Sequence, residues 1–306
     1  MGNGNEGMTM GTVLSADGTA IGFEAWGEGP PLIMIDGATA YRAMSQTAAQ
    51  VGALLQDDFR TYAYDRRGRG ESGDTPPYAV QREIEDVAAL IDEAGAPAFV
   101  CGFSSGAVLA LDAAAAGLPI TRLALFEPPF VVDDSRPPGP ADYVQRLDAA
   151  VAAGRPGDAV ELFMTGAVGM PAEAVAGLRQ SPFWPALEAV AHTIAYDGRI
   201  MGSTMSGQPL PADRWAAVAV PTLVMYGRDT EPWLIAAARA LAALLPTASL
   251  QAVEGAQHNV QADVLAPVLR RFAAAGRGHA DQHRRADRDL PAGPVGRSAH
   301  GSGSGT

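Results

Sequence analysis

Apolar residues fall in short compact runs separated by longer stretches of helical periodicity. Thr12 to Leu14 and Ala20 to Trp26 read as two strands joined by a turn at Ala16-Asp17-Gly18, the signature of a hairpin. Pro31 to Ile35 is uniformly apolar and ends at Asp36-Gly37, as expected of a buried parallel strand entering a loop. The pattern then predicts a helix over 44–55 and a strand over 60–64, followed by a helix over 81–94 carrying Ile84, Val87, Ala88 and Ile91 on one face. Gly95 and Pro97 stop that helix. A strand over 98–101, an alanine-rich helix from Ala107 and a strand over 120–126 complete the first half. This alternation predicts an α/β architecture with a mostly parallel sheet.

The rhythm breaks between about Val131 and Trp215. Helical patterns over 143–153, 157–168, 172–178 and 184–195 are punctuated by prolines, without a convincing strand. We read this stretch as a helical insertion over one end of the sheet. Alternation resumes with strands at 222–226 and 249–253 and helices at 232–245 and 261–275, giving eight strands in all. The expected layout is a flexible N-terminus at 1–11, a core from 12–130 and 216–275, a helical cap at 131–215 and a disordered tail at 276–306.

Composition narrows the function. The chain of 306 residues is 47% hydrophobic and 18% charged, with a net charge of −12. Such an acidic balance argues against a nucleic-acid partner, which calls for a basic stripe. The sequence contains no lysine for Schiff-base chemistry, and its single cysteine, Cys101, provides neither a disulfide nor a cysteine-based metal site. No apolar stretch is long enough to span a bilayer, and the N-terminal residues lack the pattern of a signal peptide. The expectation is a cytoplasmic protein acting on a small molecule, with no membrane or nucleic-acid partner; the oligomeric state is left open.

Candidate chemistry centres on Gly102-Phe103-Ser104-Ser105-Gly106, a G-x-S-x-G sequence between a predicted strand and a predicted helix. A serine at such a turn is exposed over the helix N-terminus, but its hydroxyl is a poor nucleophile until a base takes the proton. Of the five histidines, three (His279, His283, His300) fall in the tail and His192 falls in the insertion. His258 follows the last strand, where a parallel sheet presents catalytic groups, and is the preferred base. The base in turn needs a carboxylate. Asp229, after the 222–226 strand, and Glu127, after the 120–126 strand, are both candidates, and Asp229 is preferred.

Taken together, the Asp36-Gly37 loop, the Asp65-Arg66-Arg67-Gly68 to Ser72 segment, the Gly102 to Gly106 elbow, the Asp229 region and the His258 loop resemble the α/β-hydrolase superfamily over about residues 12–275. The resemblance implies the α/β-hydrolase fold, an eight-stranded mostly parallel sheet flanked by helices with a helical cap. It implies a serine hydrolase that cleaves an ester, thioester or lactone of a small to medium apolar molecule without metal or organic cofactor. Ser104, His258 and Asp229 (alternatively Glu127) form the implied triad, and the backbone N–H groups of Ser105 and Ala38 form the implied oxyanion hole.

Asp36, Phe103, His192 and Trp184 are candidates to line the substrate pocket, and Met164, Met170, Phe183, Met201 and Met205 line it or form the core of the cap. Asp65, Arg66 and Arg67 are expected to be structural. Two departures stand out: Asp36-Gly37 replaces the usual His-Gly, and the usual acid position is Thr230, one residue past Asp229. An alternative reading is a cofactor-independent cyclase or lyase of secondary metabolism using the same pocket and oxyanion hole, and a further one is a non-catalytic ligand-binding member.

Overall fold

A computed structural model describes residues 7–256 and 258–288. Two compact units, residues 1–270 and 271–306, make up the chain. The first unit is built on one eight-stranded sheet. Its strands are β1 (Met8–Leu14), β2 (Ala20–Trp26), β3 (Pro31–Ile35), β4 (Arg60–Tyr64), β5 (Ala98–Phe103), β6 (Ile120–Phe126), β7 (Thr222–Asp229) and β8 (Ala248–Ala256). They lie in the order β1-β2-β4-β3-β5-β6-β7-β8. β1 and β2 form the expected antiparallel hairpin, β2 runs antiparallel to β4, and all later pairings are parallel.

Helices α1 (Thr47–Leu55), α2 (Val80–Ala94), α3 (Ser105–Ala115), α9 (Pro232–Leu244) and α10 (Ala262–Arg288) alternate with the strands. α2 shows why these segments fold as they do. Ile84, Val87, Leu90 and Ile91 form its buried stripe, and Gly95 takes a left-handed φ of 68° that ends it.

Between β6 and β7 lie α4 (Tyr143–Ala152), α5 (Pro156–Leu162), a π-helical turn at Phe163–Val168, α6 (Ala172–Leu178), α7 (Trp184–Ala189) and α8 (Ile194–Met201), with short 3₁₀ turns. The helical pattern read over 184–195 is therefore two helices separated by a 3₁₀ turn at Ala191–Thr193. Leu147, Val160, Trp184, Leu187 and Ile194 give this insertion a hydrophobic core of its own.

Two boundaries differ from expectation. β1 begins at Met8, so residues 8–11 belong to the sheet rather than to a flexible terminus, because they pair with Phe23 to Trp26. α10 continues to Arg288 instead of ending at Ala275. The remaining tail, 289–306, lies outside the described residues. Among the described residues, no helix is long and apolar enough to cross a membrane.

The topology creates one privileged place. From β3 the chain steps to β4 on one side and then crosses to β5 on the other, so loops diverge beyond the carboxyl ends of β3 and β5. Ile35 pairs with Gly102, which brings the Asp36-Gly37 loop beside Ser104. Phe103 pairs with Phe126, which brings Ser104 beside Glu127.

Candidate active site

Ser104 ends β5 and begins α3 with φ 54° and ψ −126°, a left-handed backbone that a non-glycine residue rarely adopts. The neighbouring glycines explain how so sharp a turn fits. A Cβ on Gly106 would stand 2.4 Å from the Ile35 carbonyl oxygen, and one on Gly102 would stand 2.5 Å from that of Gly106. Gly37 packs just as closely against the serine itself, since a Cβ there would lie 2.9 Å from the Ser104 Cβ. Backbone bonds fix the turn: the Ser104 N–H donates to Phe126 O at 2.9 Å and its carbonyl accepts from Ala107 N–H at 3.0 Å.

Glu127 and His258 share the unusual backbone of Ser104, with φ of 46° and 64°. Left-handed non-glycine residues are strained and concentrate where the fold over-determines them, often at functional sites. Glu127 is fully buried, and its Oε2 lies 2.6 Å from His258 Nδ1. Its Oε1 accepts a hydrogen bond from Gly227 N–H at 2.7 Å. Both carboxyl oxygens are thus partnered, as burial of a polar group requires. His258 is 36% exposed, its ring 6.5 Å from that of Phe126.

The carboxylate beside His258 is Glu127, not the Asp229 preferred from the sequence. β7 runs past Gly227 through a bulge to Asp229, which pairs with Ala256 and leaves its side chain exposed. Glu127 reaches His258 instead because it leaves the sheet one strand closer to Ser104 and has the longer side chain. Gly227 keeps the path open, since a Cβ there would sit 3.2 Å from Glu127 Oε1. Thr230, the position the resemblance favours for the acid, is buried and follows a turn closed by its N–H to Gly227 O at 3.2 Å.

Ser104, Ser105, Ala38 and His258 line one cavity of 820 Å³ between the strand ends and the cap. Its walls are mainly apolar, with Pro129, Phe163, Ile194, Met201, Trp233 and Leu234 among them. Of the methionines expected there, Met170, Met201 and Met205 line it, whereas Met164 packs on the cap core. Phe183 is exposed.

None of the four proposed pocket residues Asp36, Phe103, His192 and Trp184 lines this cavity. Trp184 is consumed by the cap core. Phe103 packs its ring 6.2 Å from Phe126. His192 lies at the seam of cap and core, with Nε2 3.7 Å from Asp74 Oδ2, and burial holds its imidazole below the usual value against the pull of Asp74. Asp36 is partly buried beside the elbow. Burial pushes its carboxyl up to about 6, against the lowering effect of Arg69 and Arg66.

Sequence reasoning overlooked Asp197, a cap residue that lines the cavity. On α8 it shares the buried stripe with Ile194, Ala195, Ile200 and Met201, and a carboxylate on an apolar stripe signals buried partners. It accepts from Ser105 Oγ at 2.7 Å, Arg66 Nη1 at 2.6 Å and Arg69 Nη2 at 2.5 Å. Burial raises its carboxyl, but Arg66 and Arg69 outweigh that and hold it below the usual range. The other charges of the 65–72 segment are bound within the scaffold, as expected: Arg67 pairs with Asp86 and Asp17, and Asp65 with Arg42. No group of acidic, histidine or cysteine side chains among the described residues has the arrangement of a metal site.

Comparison with known proteins agrees with this architecture. The sequence model of the alpha/beta hydrolase family matches residues 32–275. An alpha/beta hydrolase from Sphaerobacter thermophilus DSM 20745 is 53% identical, with 86% of this chain and 99% of that one covered and a TM-score of 0.78. An enol-lactonase from Burkholderia xenovorans LB400 (23% identity, 87% and 100% covered, TM-score 0.62) is similar in fold. So is a thermophilic esterase from Thermogutta terrifontis (19% identity, 89% and 98% covered, TM-score 0.59). No curated protein matches the chain. With its sheet order, its elbow and more than half its length matched by one family model, the chain belongs to the alpha/beta hydrolase family.

Proposed function

We propose that this chain is a serine hydrolase of neutral, largely apolar carboxylic esters, thioesters or lactones, with Ser104, His258 and Glu127 as its triad. The observation that carries the reading is the 2.6 Å contact between His258 Nδ1 and the buried Glu127, on a cavity that also holds the strained Ser104. With Nδ1 engaged by the carboxylate, Nε2 is the nitrogen left to take the Ser104 proton.

The reaction then runs in two balanced steps. Ser104 Oγ bonds to the carbonyl carbon while its proton passes to His258, and the carbonyl π electrons move to oxygen, where the Ser105 and Ala38 N–H groups receive the charge. Collapse expels the alcohol, thiol or ring oxygen with the proton from His258, leaving an acyl-serine. Water repeats the sequence and restores the enzyme. Enol-lactonase and esterase activities of fold neighbours support this class of bond, and the apolar cavity walls support an uncharged substrate.

The test is hydrolysis of a series of p-nitrophenyl esters of straight-chain fatty acids by the full chain and by Ser104→Ala. Turnover should be lost in the variant by about four orders of magnitude or more. Equal rates for the two proteins would refute the assignment.

A further inference from the structure

We propose that Asp197 is a positioning residue that couples the cap to both halves of the oxyanion hole, an inference that rests on the serine-hydrolase reading above. The two halves come from different elements. Ser105 contributes its N–H from the first turn of α3, and Ala38 contributes its N–H from the loop after β3.

Asp197 grips the first half directly, because the Ser105 hydroxyl donates to its Oδ1 at 2.7 Å. It grips the second through guanidinium groups. Arg69 bonds Asp197 Oδ2 through Nη2 at 2.5 Å and donates from Nη1 to Gly37 O at 2.7 Å and to Ala40 O at 3.3 Å. Arg66 Nη1, bound to Asp197 Oδ1, also reaches Asp36 O at 3.4 Å. Ala38 is therefore bracketed by carbonyls held by arginines that are themselves held by Asp197.

Charge and burial make this arrangement stiff. Arg66 and Arg69 are fully buried, and two carboxylates, Asp197 and Glu83, balance them. Glu83 takes both Arg66 Nε and Nη2, at 2.6 and 2.8 Å, so it fixes Arg66 but leaves Arg69 to Asp197. Arg69 Nε adds a bond to Thr193 Oγ1 at 3.0 Å, a second tie to the cap. Short charge-assisted bonds between buried groups define position tightly, and donors aimed at a developing oxyanion lose effect when they shift by even about 1 Å.

The reading separates from a purely structural role by what the variants change. Ser105→Ala leaves the charges paired and cuts only the tether to α3. Asp197→Asn keeps the shape but leaves a buried guanidinium without its carboxylate. Steady-state kinetics on p-nitrophenyl butyrate and inhibition by an alkyl trifluoromethyl ketone, whose serine adduct carries the oxyanion, are measured on the full chain.

The expected result is a kcat lower by about 10-fold for Ser105→Ala and about 100-fold for Asp197→Asn, with KM within a factor of about 3 and ketone affinity falling in proportion to kcat. If Asp197→Asn fails to fold, Ser105→Ala decides. Wild-type kcat and ketone affinity in the folded variants, or a rise in KM alone, would overturn the inference while leaving the hydrolase reading in place. A wild-type protein that neither cleaves the ester nor binds the ketone would instead refute that reading, and the inference with it.

Discussion

Glu127 reaches His258 over Gly227: its Oε1 takes the glycine N–H at 2.7 Å, and its Oε2 lies 2.6 Å from the imidazole Nδ1. The contact spans three strands, since Glu127 leaves β6, Gly227 lies in β7 and His258 follows β8. A side chain one methylene shorter cannot make both bonds from the same backbone position.

Replacement of the acid should therefore be costly in either of two ways. In the proposed triad, Glu127→Gln would remove the carboxylate that faces the imidazole during proton transfer, and Glu127→Asp would remove the reach. Each is expected to lower kcat by about 100-fold to 10,000-fold, whereas Asp229→Asn, exposed at the end of β7, should stay within about 2-fold. Initial rates on one ester at saturating concentration decide between the two carboxylates; a larger loss in Asp229→Asn would reverse the assignment.

Asp36 should tie stability to pH. Its folded carboxyl is raised to about 6 from an ordinary 3.8, so the folded protein retains a proton that the unfolded chain releases. The wild type should thus lose stability as pH rises from about 4 to about 6 and stay level above that, by at most about 3 kcal/mol. Asp36→Asn should remove this slope and be the more stable protein at pH 8. Urea unfolding of both proteins at pH 5 and pH 8 checks the sign; an unchanged slope in the variant would mean that another group carries it.

Two glycines should respond oppositely to a methyl group. A Cβ on Gly106 meets the Ile35 and Asp36 carbonyl oxygens at 2.4 and 2.6 Å, so Gly106→Ala should destabilise by about 1–3 kcal/mol and disturb the elbow. Gly177, inside α6, has open space where a Cβ would stand, with nothing within 4 Å, and Gly177→Ala should stabilise by about 0.5–1 kcal/mol. Thermal unfolding of the two variants measures both.

Much of this was legible in the sequence because it is local. β3, β4 and β6 have the predicted ends, each closed at its C-terminal side by an acidic residue (Asp36, Asp65, Glu127), and Gly-x-Ser-x-Gly between strand and helix marked Ser104. The acid was not so readable. Both Asp229 and Glu127 follow a parallel strand, and only the bulge that keeps Asp229 in β7 and the open path over Gly227 separate them. Pocket residues were misassigned for a related reason. Trp184 has the composition of a pocket wall, but the cap has a core of its own to fill, while Trp233 and Leu234 reach the cavity from the start of α9. Asp197 became meaningful only once α8 was seen to press a carboxylate against two arginines more than a hundred residues earlier.

Whether Ser104 is an activated nucleophile can be read from covalent capture. The full chain is treated with a fluorophosphonate, digested and read by peptide mass spectrometry, beside Ser104→Ala and His258→Ala. One adduct is expected, on Ser104, absent from Ser104→Ala and formed at least about 100-fold more slowly in His258→Ala. An adduct on Ser105 or elsewhere, or no adduct on a folded wild-type protein, would contradict it.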